Sequence, residues 1–364
     1  MPRSSRRSLL TTGVAAGLAA LSGFTGILGS DSGVNEDWSN HVSRRSGGIT
    51  AHDGSVYIGT AEGLETLDTE TGDEGWAFST QGKKVSSFPV VTDGPVFFGT
   101  FSGPSEPPTL YGVTAAGEEH WSAPLPDAGG ITTPAITGGT VFAGTGVMGG
   151  DYRVVAHDAT TGDEEWSVAL GSHAIGSSPT ASKGRVYIES GGFAAFDADS
   201  GDNIWRHETG TTEIGESPYH SPTVGDETVY FSDSTEPEVY ALDTATGEKQ
   251  WMTTVNARPT QSVLDGDTLY VGTTNFSLDD PEGRLYALDT TTGDIRWSVT
   301  TGDVPLGGPD VRSGTVYTAG SSTLCAIEDG ETAWTHEFEN GISAPVVAGD
   351  RLIVSDFETV YSLS

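Results

Sequence analysis

Cysteine is all but missing from this sequence: one residue, Cys325, among 364 excludes an intramolecular disulfide. Lysine is nearly as scarce, limited to Lys83, Lys84, Lys183 and Lys249, and the 17 basic residues face 51 acidic ones. The resulting formal net charge of −34 leaves no basic stripe to neutralise phosphate, so nucleic acid is excluded as a partner. Strong helix formers are few, whereas 50 glycines with abundant Thr, Ser and Asp supply turn geometry. The expectation is short strands joined by tight turns, with almost no helix beyond the first thirty residues. Long apolar runs are missing too, with one weak exception at the start of the chain.

There, Ser5, Arg6, Arg7, Ser8, Leu9 and Leu10 precede a weakly apolar stretch from Thr11 to about Leu28. Residues 1–30 read as a twin-arginine (Tat) signal peptide followed by a mature domain at 31–364, exported to the cell surface or the medium. The competing reading is a transmembrane anchor, but Thr11, Thr12, Ser22 and several glycines make the run poorly apolar for one. No membrane span is expected beyond the signal segment. Losing Arg3, Arg6 and Arg7 with a leader takes the net charge from −34 to −37. The carboxylates are dispersed through the turns rather than gathered in a tail. Such a surface stays hydrated where molar salt screens repulsion within about 3 Å, which points to an extreme halophile.

What the sequence has in abundance is repetition. All eight tryptophans recur at repeat spacing: Trp38, Trp76, Trp121, Trp166, Trp205, Trp251, Trp297 and Trp334. Before seven of them a glycine stands four residues earlier, at Gly72, Gly117, Gly162, Gly201, Gly247, Gly293 and Gly330. A fixed glycine reads as a turn residue with positive φ, after which the chain returns as a strand carrying the Trp. Alternating apolar segments such as Val239 to Asp243 and Leu285 to Asp289 precede that turn. Small-residue stretches with Pro89, Pro134, Pro179, Pro222, Pro309 or Pro345 follow each Trp and lead into strands such as Leu269 to Val271. Four strands per repeat define a propeller blade. The ends of the chain complete the count: Thr359 to Leu363 match the segment that precedes the turn but lack a Trp, and Trp38 lacks such a segment. Joined, they make an eighth blade and leave no open sheet edge. The fold class is all-β, an eight-bladed β-propeller of four-stranded antiparallel blades closed by pairing of the terminal strands.

Ala241, Asp243, Thr246, Gly247 and Trp251, with Ala287, Asp289, Thr292, Gly293 and Trp297, resemble the tryptophan-docking motif of the pyrroloquinoline-quinone-like (PQQ-like) repeat. Ala156 to Trp166 and Ala195 to Trp205 follow it closely, Leu67 to Trp76 nearly so, and Val113 to Trp121 and Ala326 to Trp334 shorten the turn. The resemblance spans the whole mature chain and is specific for architecture rather than activity. It implies one of two roles. BamB-type propellers are non-catalytic scaffolds, whereas quinoprotein dehydrogenases hold PQQ and calcium above an eight-bladed frame. The dehydrogenases are longer, and many carry a disulfide between adjacent cysteines that this chain cannot form. The shortness of the repeats favours the scaffold: a non-enzymatic, monomeric module whose partner is a protein or cell-envelope component.

Candidate site residues are few. The segments assigned to the innermost strands are small (Ser86, Ser87, Thr132, Thr133, Ser177, Ser178, Gly307, Gly308, Ser343, Ala344), as crowding at an axis requires. The larger exceptions, Glu216, Tyr219, His220, Arg258 and Gln261, are the candidates for a channel pocket, against the plainer reading of solvated loop residues. Asp279, Asp280 and Glu282 could ligate a cation, although an acidic solvated turn reads as well. No catalytic residues, zinc ligands or phosphate loop are apparent. Cys325 takes a position where other blades carry Tyr240 or Tyr286, and so reads as core.

Overall fold

The computed structural model describes residues 34–364, apart from 103–105, 127, 147–151, 171–176, 210–220, 234–235, 275–282 and 303–307. The signal-peptide reading of residues 1–30 lies outside the described residues. No helix occurs among them, so none there is long and apolar enough to cross a membrane.

Eight four-stranded antiparallel sheets follow one another along the chain. Blade 1 runs through Arg45–His52, Ser55–Thr60, Gly63–Asp68 and Glu74–Ser79. Blade 5 repeats the plan with Thr223–Val224, Thr228–Ser232, Glu238–Asp243 and Lys249–Thr254. First strands of neighbouring blades touch, which places them at the hub and the Trp-bearing fourth strands at the rim. The two middle strands of a blade are buried on both faces, for example Val56, Tyr57 and Ile58, because other blades cover them on each side.

In five blades the turn before the rim strand is built by chemistry already visible in its residues. In blade 5 the carboxylate of Asp243 accepts hydrogen bonds from the backbone N–H of Ala245 (2.9 Å) and Thr246 (2.8 Å). The Gly247 N–H then closes onto the Asp243 carbonyl at 2.9 Å. Asp68, Asp158, Asp197 and Asp289 do the same in their blades. These backbone donors, joined at Asp289 by Arg296, favour the ionised carboxylate and hold all five aspartates below the usual range. The seven turn glycines all have positive φ, from 71° at Gly247 to 82° at Gly117.

Those glycines have a second role that spacing alone did not reveal. Each receives the indole of the preceding blade: Trp38 lies on Gly72, Trp205 on Gly247, Trp251 on Gly293. A Cβ added at any of the seven would stand 2.6 to 2.8 Å from the ring. The indole N–H donates to a carbonyl of the same turn, as in Trp205 Nε1 to Thr244 O at 3.1 Å and Trp251 Nε1 to Thr290 O at 3.0 Å. The ring thus fills the gap between blades and anchors its one polar atom across it.

Closure follows the expectation. Glu36–His41 pairs antiparallel with Thr359–Leu363, and with Val346–Ala348 and Arg351–Ser355 this makes blade 8. Asn35 and Ser364 exchange reciprocal backbone hydrogen bonds of 2.9 and 3.0 Å. Arg351 forms an ion pair with Asp37, reinforcing the join from inside blade 8. Among the described residues no glycine seats Trp334. It packs instead against the buried cluster of Leu324, Ile342, Leu352 and Leu363.

One assignment needs correction. Six innermost strands are only two or three residues long, such as Val90–Val91 and Asp310–Arg312, and begin after the small pairs assigned to them. Ser86 and Ser87, Thr132 and Thr133, Ser177 and Ser178, and Ser343 and Ala344 lie in the approach to those strands, as does Gly308. Gly307 is outside the described residues. Near the axis the backbone still bonds within its own blade, as Ser86 N–H to Gly99 O at 2.9 Å, while side chains reach sideways to the next blade, as when Ser86 Oγ donates to Ile131 O at 2.6 Å.

Candidate functional site: the axial cavity

At the axis, equivalent approach residues of the eight blades form a ring: Gly48, Phe88, Thr133, Ser178, Ser221, Gln261, Gly308 and Ala344. Several are tied to the next blade. The Phe88 N–H donates to Thr133 Oγ1 at 3.1 Å, the Thr133 N–H to Ser178 Oγ at 3.2 Å, and the Ser221 N–H to Gln261 Oε1. Small polar side chains are needed here because each must reach a neighbouring backbone without filling the axis.

The ring is not uniform, and its asymmetry makes a cavity. Blades 7, 8 and 1 contribute Gly308, Ala344 and Gly48 in succession, the three smallest members. Phe88 and Gln261 lean into part of the space, since a Cβ on Gly48 would fall 2.1 Å from the Phe88 ring and one on Gly308 would fall 2.4 Å from Gln261 Cβ. About 710 Å³ remains, walled by Ile49, Phe88, Ile342, Pro345 and Val347 with Thr133, Ser221, Gln261 and Ser343 as neutral polar points. Phe357, on the turn between the last two strands of blade 8, stands at the edge of this cavity and is 59% exposed. The Phe357 carbonyl accepts from the Arg45 N–H at 2.7 Å, which fixes the turn against blade 1.

Two charged residues line the space among the described residues, and both are engaged. The Arg45 guanidinium donates through Nε to Asp356 O (3.2 Å) and through Nη1 to Gly47 O (3.1 Å). Asp310 accepts the Val311 N–H on Oδ1 and the Val347 N–H on Oδ2, each at 2.8 Å. Burial dominates over these bonds and raises its pKa. Asp310 therefore staples blade 7 to blade 8 beside the cavity.

Of the sequence candidates, Gln261 lines the cavity, whereas Arg258 starts an eight-residue inner strand, Arg258–Asp265, and is exposed away from it. Glu216, Tyr219 and His220 lie outside the described residues, as do Asp279, Asp280 and Glu282. Among the described residues most of the wall comes from blades 7, 8 and 1, and the region of those candidates contributes Ser221 and Gln261. Phe88, Arg45, Asp310 and Phe357 were missed. Phe88 had a signal, being the one large apolar side chain in a register otherwise held by Gly, Ala, Ser, Thr or Gln. Among the described residues no group of three or more His, Cys, Asp or Glu could hold a metal ion.

Fold, docking turns and axial ring define a PQQ-like β-propeller. A family model described as outer membrane protein assembly factor BamB matches residues 106–275 and 281–364, and the chain belongs to that family. Solved structures agree on the fold. BamB from Moraxella catarrhalis superposes with a TM-score of 0.71 at 16% identity, over 91% of this chain and 99% of that one. The quinohemoprotein alcohol dehydrogenase from Comamonas testosteroni gives 0.74 at 15% identity, over 91% and 76%. A europium-containing methanol dehydrogenase gives 0.71 at 12%, over 92% and 93%. No curated protein matches the sequence. At these identities the structural likeness speaks for architecture alone.

Proposed function

We propose that this chain is an exported, non-catalytic propeller that binds another protein or a component of the cell envelope through the mouth of its axial cavity. The observation that carries this reading is Phe357: a large aromatic side chain, 59% exposed, at the rim of a mainly apolar cavity. An aromatic ring kept in water beside an apolar-walled pocket is the arrangement from which binding hot spots are made. Membership of the BamB-described family supports a scaffold role. The Tat route to the cell exterior rests on Arg6, Arg7 and the following apolar run.

The alternative is a quinoprotein oxidoreductase, favoured by the likeness to two dehydrogenase folds. The cavity's donor set suits it poorly. A calcium–quinone centre calls for several oxygen ligands and a free carboxylate base. Asp310, the one carboxylate in the lining among the described residues, has each oxygen already accepting a backbone N–H. Among the described lining residues Arg45 is the one cation, held on two carbonyls.

Two measurements test the proposal together. Capture from cells in their native salt is expected to recover the same partner with the wild type and to lose it with Phe357→Ser. Mixing the purified protein with PQQ and calcium is expected to give no saturable binding. Saturable binding with alcohol- or sugar-dependent dye reduction would overturn the scaffold reading.

A further inference from the structure

Below its mouth the axial cavity has two unlike sides. Its apolar wall comes from blades 7, 8, 1 and 2, through Pro309, Ile342, Pro345, Ile49 and Phe88. Blades 3, 5 and 6, across the axis, each contribute one polar side chain, Thr133, Ser221 and Gln261. The space between the two sides, about 710 Å³, has the size of pockets that hold small molecules.

The hydrogen bonds these groups already make decide what a ligand must offer. Thr133 Oγ1 accepts the Phe88 N–H at 3.1 Å, which leaves its hydroxyl proton without a protein acceptor among the described residues. The Gln261 amide oxygen accepts the Ser221 N–H, while Nε2 makes one long contact, 3.4 Å to Ser262 O, and keeps its second proton. The Ser221 hydroxyl is likewise uncommitted among the described residues. By contrast, Ser46, Thr50 and Ser343 spend their hydroxyl protons on the carbonyls of Val85 (2.9 Å), Pro89 (2.7 Å) and Ala344 (3.0 Å). The spare capacity of the lining is therefore a set of donors gathered on one side. Neither charged side chain adds a free counter-charge: Asp310 accepts two backbone N–H groups, and Arg45 donates to two carbonyls.

We infer that the axial cavity binds an uncharged, mainly apolar small molecule carrying carbonyl or ether oxygens. Its apolar body lies against blades 7, 8, 1 and 2, and an oxygen accepts from Thr133, Ser221 or Gln261. The other ligand classes fail on desolvation. A cation or an anion would leave water for a space whose charged side chains are already committed, and its lost hydration would go uncompensated. A hydrocarbon without acceptors would fill the apolar side and leave the donors opposite it unpaired. The inference rests on the cavity proposed above as the binding site and names what enters it; it does not depend on which partner is held at Phe357.

Fluorescence titration of the full chain in molar salt with Prodan, a neutral naphthalene bearing one carbonyl, tests the inference. Blue-shifted, saturable emission at one probe per chain is expected. The anionic dye anilinonaphthalene sulfonate should neither bind nor displace it. Ala344→Phe fills part of the cavity and should weaken the probe about tenfold or more; Ala344→Leu takes its place if thermal unfolding shows that the larger side chain disturbs the fold. The triple variant Thr133→Val, Ser221→Ala, Gln261→Met keeps the apolar wall and removes the donors, and should weaken the probe about fivefold. A wild type without saturable binding, equal affinity for the sulfonate, or indifference to either set of substitutions would overturn the inference. Its failure is separable from that of the docking reading. No probe binding, with the captured partner still lost in Phe357→Ser, refutes the ligand alone, whereas probe binding with no partner captured refutes the docking alone.

Discussion

Replacing Gly247 by Ala probes the inter-blade joint with a single methyl group. Gly247 has φ of +71°, and its added Cβ would lie 2.6 Å from Trp205 Cδ2 and 2.7 Å from Cε3. Three costs follow. Holding a non-glycine residue in the left-handed region costs about 1–2 kcal/mol. Pushing an indole out of a filled joint adds about 1–3 kcal/mol. Displacement also strains the 3.1 Å bond from Trp205 Nε1 to Thr244 O, a net contribution of about 1 kcal/mol. The total expected loss is about 2–5 kcal/mol, given that these terms overlap in part. Gly266→Ala is the matched control: φ is +59°, but the space around its added Cβ is empty to 4 Å. It should lose only the backbone part, about 1–2 kcal/mol. Equilibrium denaturation of both variants in molar salt measures the difference, which is the contribution of the joint. Equal losses would refute the assignment of Gly247 as the seat of Trp205.

Further predictions concern titration and reactivity. Asp289, hydrogen-bonded by Arg296 and two backbone N–H groups, has its pKa lowered to about 2. Because its folded value lies below its unfolded one, its contribution is complete above the unfolded carboxylate range and disappears as pH falls towards 2. The thermal midpoint of the wild type should therefore exceed that of Asp289→Asn at neutral pH and converge with it near pH 2; a gap that widens on acidification would contradict this. Burial pushes the Cys325 thiol up to about 11. The folded protein should resist thiol-modifying reagents at pH 8 and react fully once denatured. Rapid labelling of the native state would refute its place in the core.

The architecture was legible because it is repeated. Eight tryptophans at regular intervals, seven glycines four residues before them and two unmatched terminal segments imply blades, turns and closure without any long-range calculation. The aspartate shared by most of the turns, as at Asp243 and Asp289, was readable for the same reason. The docking of each indole on the next blade's glycine was not, because it joins residues about one repeat apart and leaves no local periodicity. The axial cavity was harder still. Its wall is drawn from seven blades, single residues from four of them and runs of several from blades 7, 8 and 1, and it exists because Gly308, Ala344 and Gly48 fall on consecutive blades. Gln261 was found because it was large in a small-residue register. Phe88 obeyed the same rule and was passed over, while Phe357 lies on a turn whose nearness to the axis only the closed ring reveals.

Closure of the ring is the claim on which cavity and mouth both depend. His41 and Thr359 are directly paired across the join, so cysteines at both positions would sit at a separation suited to a disulfide. Mild oxidation of the His41→Cys, Thr359→Cys double variant, followed by non-reducing electrophoresis, is the most direct test. The closed ring predicts a monomeric, internally cross-linked chain of increased mobility in high yield. Free thiols, or cross-links only between molecules, would show that the two ends do not meet.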